Sequence, residues 1–275
     1  MDIRYAVSPL EYRSMGSAEL RDAFLIDVFK AGAFSMTYCE VERKIVRGVM
    51  PLGEPLALAA SAELATDFFC ERRELGVINL GGAGSVRVDG EVFELDRLEA
   101  LYVGRGAENI VFASASVAAP AAFYLVSYPA HQAYPTVKIT RAEANRVELG
   151  SLVEANARTI YQYIHERGVQ SCQLVMGVTA LGEGSVWNTM PCHTHMRRSE
   201  VYLYFDLDEV GRVFHFMGPG EETRHLVVAN RQAVLSPPWS IHCGCGKQAY
   251  HFCWAMGGEN QRFDDMDAVP WDAMR

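Results

Sequence analysis

The chain has 275 residues, 49% hydrophobic and 21% charged, the balance of a folded globular protein and not of a disordered one. A formal net charge of −9 argues against nucleic acid or an anionic membrane surface as a partner. No apolar run is long enough to span a bilayer and Met1-Asp2-Ile3-Arg4-Tyr5 has no basic-then-apolar leader, so the expected compartment is the cytoplasm.

In chain order, Ser17 to Lys30 carries Leu20, Phe24, Leu25 and Val28 on one helical face, with Ser17 as N-cap, and predicts a helix. Ala57 to Glu71 is a second helical candidate. From Gly76 the pattern turns to β: Gly76–Leu80, Ser85–Val88, Glu91–Leu95, Leu101–Val103, Ile110–Phe112 and Ala122–Ser127 are short strand-forming runs. Asp89-Gly90 marks a hairpin, and Gly81-Gly82-Ala83-Gly84, with no helix after it, reads as a tight turn and not a nucleotide loop. Thr140-Arg-Ala-Glu143 has the form of a capping box and predicts a short helix. So many short strands at close spacing predict a mainly β protein of the sandwich or barrel type.

The second half repeats the plan. The run beginning Glu74-Leu-Gly-Val aligns with Glu200-Val-Tyr-Leu, and Ala100-Leu-Tyr-Val-Gly104 with Ala233-Val-Leu-Ser-Pro237. Two tandem barrels are expected, 1–150 with a helical N-terminal segment and 151–275, the join falling near Thr140 to Leu152.

One motif in the second repeat carries chemistry. In Cys192-His193-Thr194-His195 on a strand, the two imidazoles share a face while Cys192 and Thr194 take the other; Glu200 follows five residues later and His242 lies far downstream. Three neutral imidazoles and a carboxylate suit a divalent first-row metal (zinc, manganese, iron, nickel or cobalt) and leave positions open for substrate. The first repeat has Cys70-Glu-Arg-Arg73 where the second has its histidines, so one barrel is expected to bind metal and the other to be structural. The seven cysteines sit mostly in apolar runs and read as buried hydrophobes; Cys243-Gly-Cys245 lacks the partner pair of a thiolate site. His215 reads as structural, and Trp187, Met190 and Met217 as core. Arg197, Arg198 and Arg224 are the arginines offered to an anionic substrate, and the acidic segment Phe263-Asp-Asp-Met-Asp267 reads as surface or subunit contact.

The spacing His-x-His-x4-Glu with a late Pro237-x4-His242 resembles the two motifs of the cupin superfamily, with Trp239 where cupins usually carry glycine. Glu71-Arg-Arg-Glu-Leu-Gly-Val-Ile-Asn-Leu-Gly-Gly-Ala-Gly, Leu101-Tyr-Val-Gly, Trp187-Asn-Thr-Met-Pro-Cys-His-Thr-His, Glu222-Thr-Arg-His and Phe263-Asp-Asp-Met-Asp are similar to the 5-keto-4-deoxyuronate isomerase family. The resemblance implies two cupin jelly-roll barrels and a homohexamer. It implies one zinc ion held by His193, His195, Glu200 and His242. The implied substrate is the keto-deoxyuronate of bacterial pectin breakdown, and the product is 3-deoxy-D-glycero-2,5-hexodiulosonate. The proton carrier stays open among Glu200, Tyr202 and His225, and the substrate carboxylate among Arg224 and Arg197. A His3Glu cupin dioxygenase and a non-catalytic uronate-binding cupin are the alternatives that the ligand set alone permits.

Overall fold

The computed structural model describes all 275 residues, and the chain divides into two compact units. Both are built almost entirely of antiparallel strands, in the tandem jelly-roll arrangement. The first unit comprises Met1–Ile3, Val28–Ala144 and Tyr163–Val175. Its seven-stranded sheet runs Asp2–Arg4, Phe34–Cys39, Ile45–Val49, Phe123–Pro129, Arg73–Asn79, Ala100–Val103, Val137–Ile139. Its four-stranded sheet runs Leu56–Ala57, Ile110–Ser114, Gly84–Val88, Glu91–Leu95. The inner faces meet in a core of Ile45, Val77, Val86, Leu101, Phe112, Phe123 and their neighbours. Each such side chain contributes about 1.5–3 kcal/mol by leaving water.

The second unit comprises Arg4–Asp27, Asn145–Gln162 and Met176–Arg275. Its sheets repeat the plan: Asn145–Leu149, Arg158–Ile164, Val175–Leu181, His251–Gly258, Arg198–Phe205, Gln232–Ser236 and Leu25–Asp27 in one, and Trp187–Asn188, Ile241–Gly246, Val213–Gly218 and Arg224–Val228 in the other. A two-stranded ribbon joins His193–Thr194 to Asp267–Ala268.

The N-terminal helices therefore belong with the second unit, not with the first 150 residues. Trp239 explains why. Its indole Nε1 donates to the Val7 carbonyl at 3.1 Å, and its ring meets Tyr12 and Phe24 edge-on at 5.2 and 6.4 Å. A glycine there would remove this one of their several anchors.

Three local expectations are corrected. The helix from Ser17 stops at Phe24, because Leu25–Asp27 pairs with Gln232–Ser236 and becomes an edge strand; its N-cap is Gly16, whose N–H donates to Glu19 at 2.6 Å. Ala57–Glu71 holds one short 3-10 turn, Ala62–Leu64, since Leu56–Ala57 is taken up by pairing with Val111 and Phe112. Thr140 and Glu143 do form the reciprocal capping bonds, at 2.8 and 3.3 Å, but the chain enters the strand Asn145–Leu149 one turn later. A helix not foreseen, Pro9–Ser14, has a full capping box from Ser8 and Glu11.

The strand runs match more closely. Glu91–Leu95 is a strand at its expected bounds, and Asp89 and Gly90 turn its hairpin with φ of 48° and 95°, as a type I′ turn requires. The repeat alignment slips by one residue at its second anchor. With Glu74 set on Glu200, the ladder places Leu101 opposite Val77 and Ala233 opposite Leu203, so Leu101, not Ala100, corresponds to Ala233. A one-residue slip matters because it exchanges the faces of the strand.

Candidate metal centre

The strand Arg198–Phe205 turns Glu200 and Tyr202, two residues apart, to the same side. His193 and His195 come from the segment just before it, and His242 from Ile241–Gly246. The structure brings His193, His195, Glu200 and His242 together: one ligand atom from each, all within 4.8 Å of one another, on four buried residues. Cys192 and Cys243, next to two of these histidines, point the other way into an apolar cluster with Met190 and Ile241 and are not part of the centre.

The hydrogen bonds outside the centre set the tautomers within it. His195 Nδ1 donates to the Arg198 carbonyl at 3.0 Å and His242 Nδ1 to the Ser240 carbonyl at 3.2 Å, since a carbonyl can only accept. Both Nε2 atoms therefore carry lone pairs toward the middle. Each faces Glu200 Oε2 at 3.1 Å, and His242 Nε2 also faces His193 Nε2 at 3.1 Å. Lone pairs and a carboxylate oxygen at that range repel unless a cation lies among them. The donor set fits a divalent first-row ion, and the group can hold one.

Protonation states agree with that use. Burial, then the neighbouring His242, depresses His193 to about 3, so it is a neutral donor at pH 7.

The centre opens into a cavity of about 250 Å³. Its lining includes Glu200, His193 and Tyr202, together with Thr179, Thr189, Ile160 and Arg158, and the apolar Phe252, Trp254, Met256, Phe263 and Met266. That is room for about eight waters, enough for a six-carbon chain but not a polysaccharide. Tyr202 holds its hydroxyl 2.9 Å from Thr189 Oγ1, and burial followed by the Glu200 charge raises its pKa well above 10, so the phenol keeps its proton.

Other residues singled out in the sequence lie elsewhere. His225 is exposed on Arg224–Val228, its ring against Phe214 and Phe216, outside the cavity lining. Arg224 donates to the carbonyls of Arg13 (2.5 Å) and Met15 and lies over the Tyr12 ring, fastening the N-terminal helices. Arg197 forms ion pairs with Asp265 (2.8 Å) and Asp267 (3.0 Å). Arg198 is fully buried and donates to the backbone carbonyls of Arg262, Phe263 and Asp265. The acidic segment is at the surface, as expected, with Asp264, Met266 and Asp267 exposed; the two arginines also fasten it, and it supplies Phe263 and Met266 to the cavity lining. His215 is core, its Nδ1 2.7 Å from the Tyr204 hydroxyl. Trp187 packs at the Met190–Cys243 cluster and Met217 is fully buried.

The sequence reading missed Arg158. The available signal was a charged residue at the head of Arg158-Thr-Ile-Tyr-Gln-Tyr-Ile164, two residues before Ile160 and so on its face.

In the first unit, Glu74 sits where the sequence repeat puts the counterpart of Glu200, and its carboxylate has a different task. It accepts from the Tyr102 hydroxyl (2.9 Å) and from the backbone N–H groups of Cys172, Gln173 and Leu174 (2.6, 2.7 and 2.8 Å). No group of metal-ligating side chains forms there.

Comparison with known proteins adds ancestry to this geometry. The profile of the KduI/IolB family matches residues 27–271. The 4-deoxy-L-threo-5-hexosulose-uronate ketol-isomerase of Shouchella clausii (strain KSM-K16) is 51% identical over 276 residues, covering 100% of each chain. That of Bacillus pumilus (strain SAFR-032) is 52% identical, again over 100% of both. Among solved structures, an IolB-like protein from Salmonella typhimurium LT2 superposes with a TM-score of 0.74 at 14% identity, covering 90% of this chain and 96% of that one. Bacillus subtilis oxalate decarboxylase, described for its Mn(II) centers, gives 0.56 at 8% identity over 82% of this chain and 71% of its own. These two likenesses show the fold alone.

Proposed function

The chain belongs to the KduI/IolB family, and on that premise we propose that it is a metal-dependent ketol-isomerase converting 5-dehydro-4-deoxy-D-glucuronate to 3-deoxy-D-glycero-2,5-hexodiulosonate in pectin and uronate degradation. The observation that carries the reading is the buried His193–His195–Glu200–His242 group opening into a cavity of six-carbon size. The isomerisation moves a proton from the carbon bearing the hydroxyl to the aldehyde carbon, through an enediolate, and moves a second proton between the two oxygens. His193, His195, Glu200 and His242 would hold a divalent ion, which when bound would supply the Lewis acidity that such a proton transfer next to a carbonyl needs.

The remaining chemistry belongs to the chain. Tyr202, protonated and aimed by Thr189, holds a proton at oxygen on the cavity side of the centre. Phe252, Trp254 and Phe263 exclude water from the carbon whose proton is removed. The carbonyls of Arg198 and Ser240 keep His195 and His242 in one tautomer and orientation. The family resemblance makes zinc the resident ion, one per chain, within the set of first-row metals that the ligands suit. A homohexamer working in the cytoplasm completes the reading, on the family resemblance.

The test is incubation of metal-replete protein with the product of an oligogalacturonate lyase digest, followed by NMR. Appearance of the diulosonate is the expected result; an unchanged spectrum overturns the assignment. Metal analysis of the purified protein checks zinc, and light scattering checks the hexamer.

A further inference from the structure

Arg158 opens the strand Arg158–Ile164, and with Ile160 it faces the cavity. It is the single fixed positive charge in the cavity lining; the only carboxylate there, Glu200, is committed to the centre. No carboxylate of the protein pairs with it. Its Nη1 donates to the Asn156 carbonyl at 2.9 Å, while Nε and Nη2 have no protein acceptor. The turn before it is built to hold that carbonyl in place. Ser151 N–H donates to Asn156 Oδ1 at 2.9 Å, and Gly150, at φ +78°, passes so close that a Cβ would fall 2.2 Å from the Asn156 carbonyl oxygen. Burial pulls the guanidinium pKa down, opposed by the Tyr202 phenol and by no carboxylate. A half-buried cation whose open edge has no acceptor lacks a counter-ion, and an anionic ligand supplies one. Arg197 and Arg224, by contrast, are engaged by Asp265 and Asp267 and by the Arg13 and Met15 carbonyls, and neither lines the cavity.

We infer that Arg158 binds the substrate carboxylate through its Nε–Nη2 edge, fixing which end of the molecule reaches the His193–His195–Glu200–His242 centre and selecting acidic over neutral sugars. The inference rests on the isomerase reading for its substrate but not for its chemistry. A linear acid held at the arginine by one end and at the centre by its aldehyde end has one orientation, and a neutral sugar has none imposed.

The experiment uses D-glucuronate and D-glucose as probes, with binding followed by ligand-observed NMR on metal-replete wild type, Arg158→Gln and Arg158→Lys. Metal content and melting temperature are measured alongside. Wild type should prefer glucuronate by more than tenfold, Arg158→Gln should bind it roughly 100-fold more weakly with metal content unchanged, and Arg158→Lys should fall between. The Michaelis constant for the keto-deoxyuronate should rise in the same order. Equal binding of glucuronate by wild type and both variants, or no preference in wild type, overturns the inference. Should Arg158→Gln fail to fold, Arg158→Lys and the wild-type preference decide. Turnover of the lyase product without the arginine effect removes Arg158 and leaves the isomerase; the arginine effect without turnover does the reverse.

Discussion

Replacing Glu74 by glutamine tests whether a metal ligand's position has become a structural latch. Oε2 accepts from the Tyr102 hydroxyl and Cys172 N–H, and Oε1 from the N–H groups of Gln173 and Leu174. An amide keeps one acceptor oxygen and turns the other site into a donor. With the amide nitrogen at the Oε1 site, both Gln173 and Leu174 N–H lose their acceptor; with it at the Oε2 site, the Tyr102 hydroxyl can turn to accept from it and only the Cys172 N–H is left facing a donor in a fully buried place. Each buried donor left unsatisfied costs about 1–3 kcal/mol, and the second orientation leaves one, so Glu74→Gln should destabilise the fold by about 1–3 kcal/mol. At roughly 2–4 °C per kcal/mol, the melting temperature should fall by about 6 °C. Tyr102→Phe, which removes one bond, should cost about 1 kcal/mol. Urea titration with matched m-values is the assay, with metal content of the folded protein expected to stay at the wild-type level. A loss under 1 kcal/mol for Glu74→Gln would refute the latch.

Three further outcomes follow from the second unit. His195→Ala and His242→Ala should each lose bound metal and activity together; full turnover by a variant shown to be metal-free by mass spectrometry sinks the metal-centred chemistry. Tyr202→Phe should keep its metal and lower kcat by about 100-fold, the scale of a positioned proton donor, and a kcat within threefold of wild type would exclude that role. His215, depressed to about 3 chiefly by burial, stays neutral in the fold while the unfolded chain takes up its proton near 6.5. Its contribution to stability therefore falls with pH between 6.5 and 3, by about 2 kcal/mol at pH 5. Denaturation of His215→Gln and wild type should converge by that amount from pH 7 to pH 5, and parallel curves would count against it.

The centre was readable because its chemistry is compressed into a short motif. His193, His195 and Glu200 span eight positions, and alternation along a strand suffices to put the two imidazoles together. The strands from Arg73 to Pro129 were readable for a similar local reason, β-branched runs between glycine turns. Two helices were overextended because a ladder partner outweighed propensity: Leu25–Asp27 and Leu56–Ala57 both end as strands. Arg158 carries no motif, and Phe263 and Met266 lie in a run that marks the family without pointing to a cavity. They reach the cavity through sheet register and through a returning tail, which are tertiary facts. Arg224 misled for the opposite reason, since an arginine next to a metal barrel says nothing of the helices it fastens.

The returning tail separates two kinds of inheritance. The side chains that could hold a metal lie at 193–200 and 242, whereas part of the cavity lining is carried by Phe263 and Met266. The two are tied by Arg197, which reaches Asp265 across 68 positions of chain, and by Arg198 beneath it. Substitutions at 263 and 266 would reshape that lining without touching His193, His195, Glu200 or His242, provided the two arginines keep their grip on the tail.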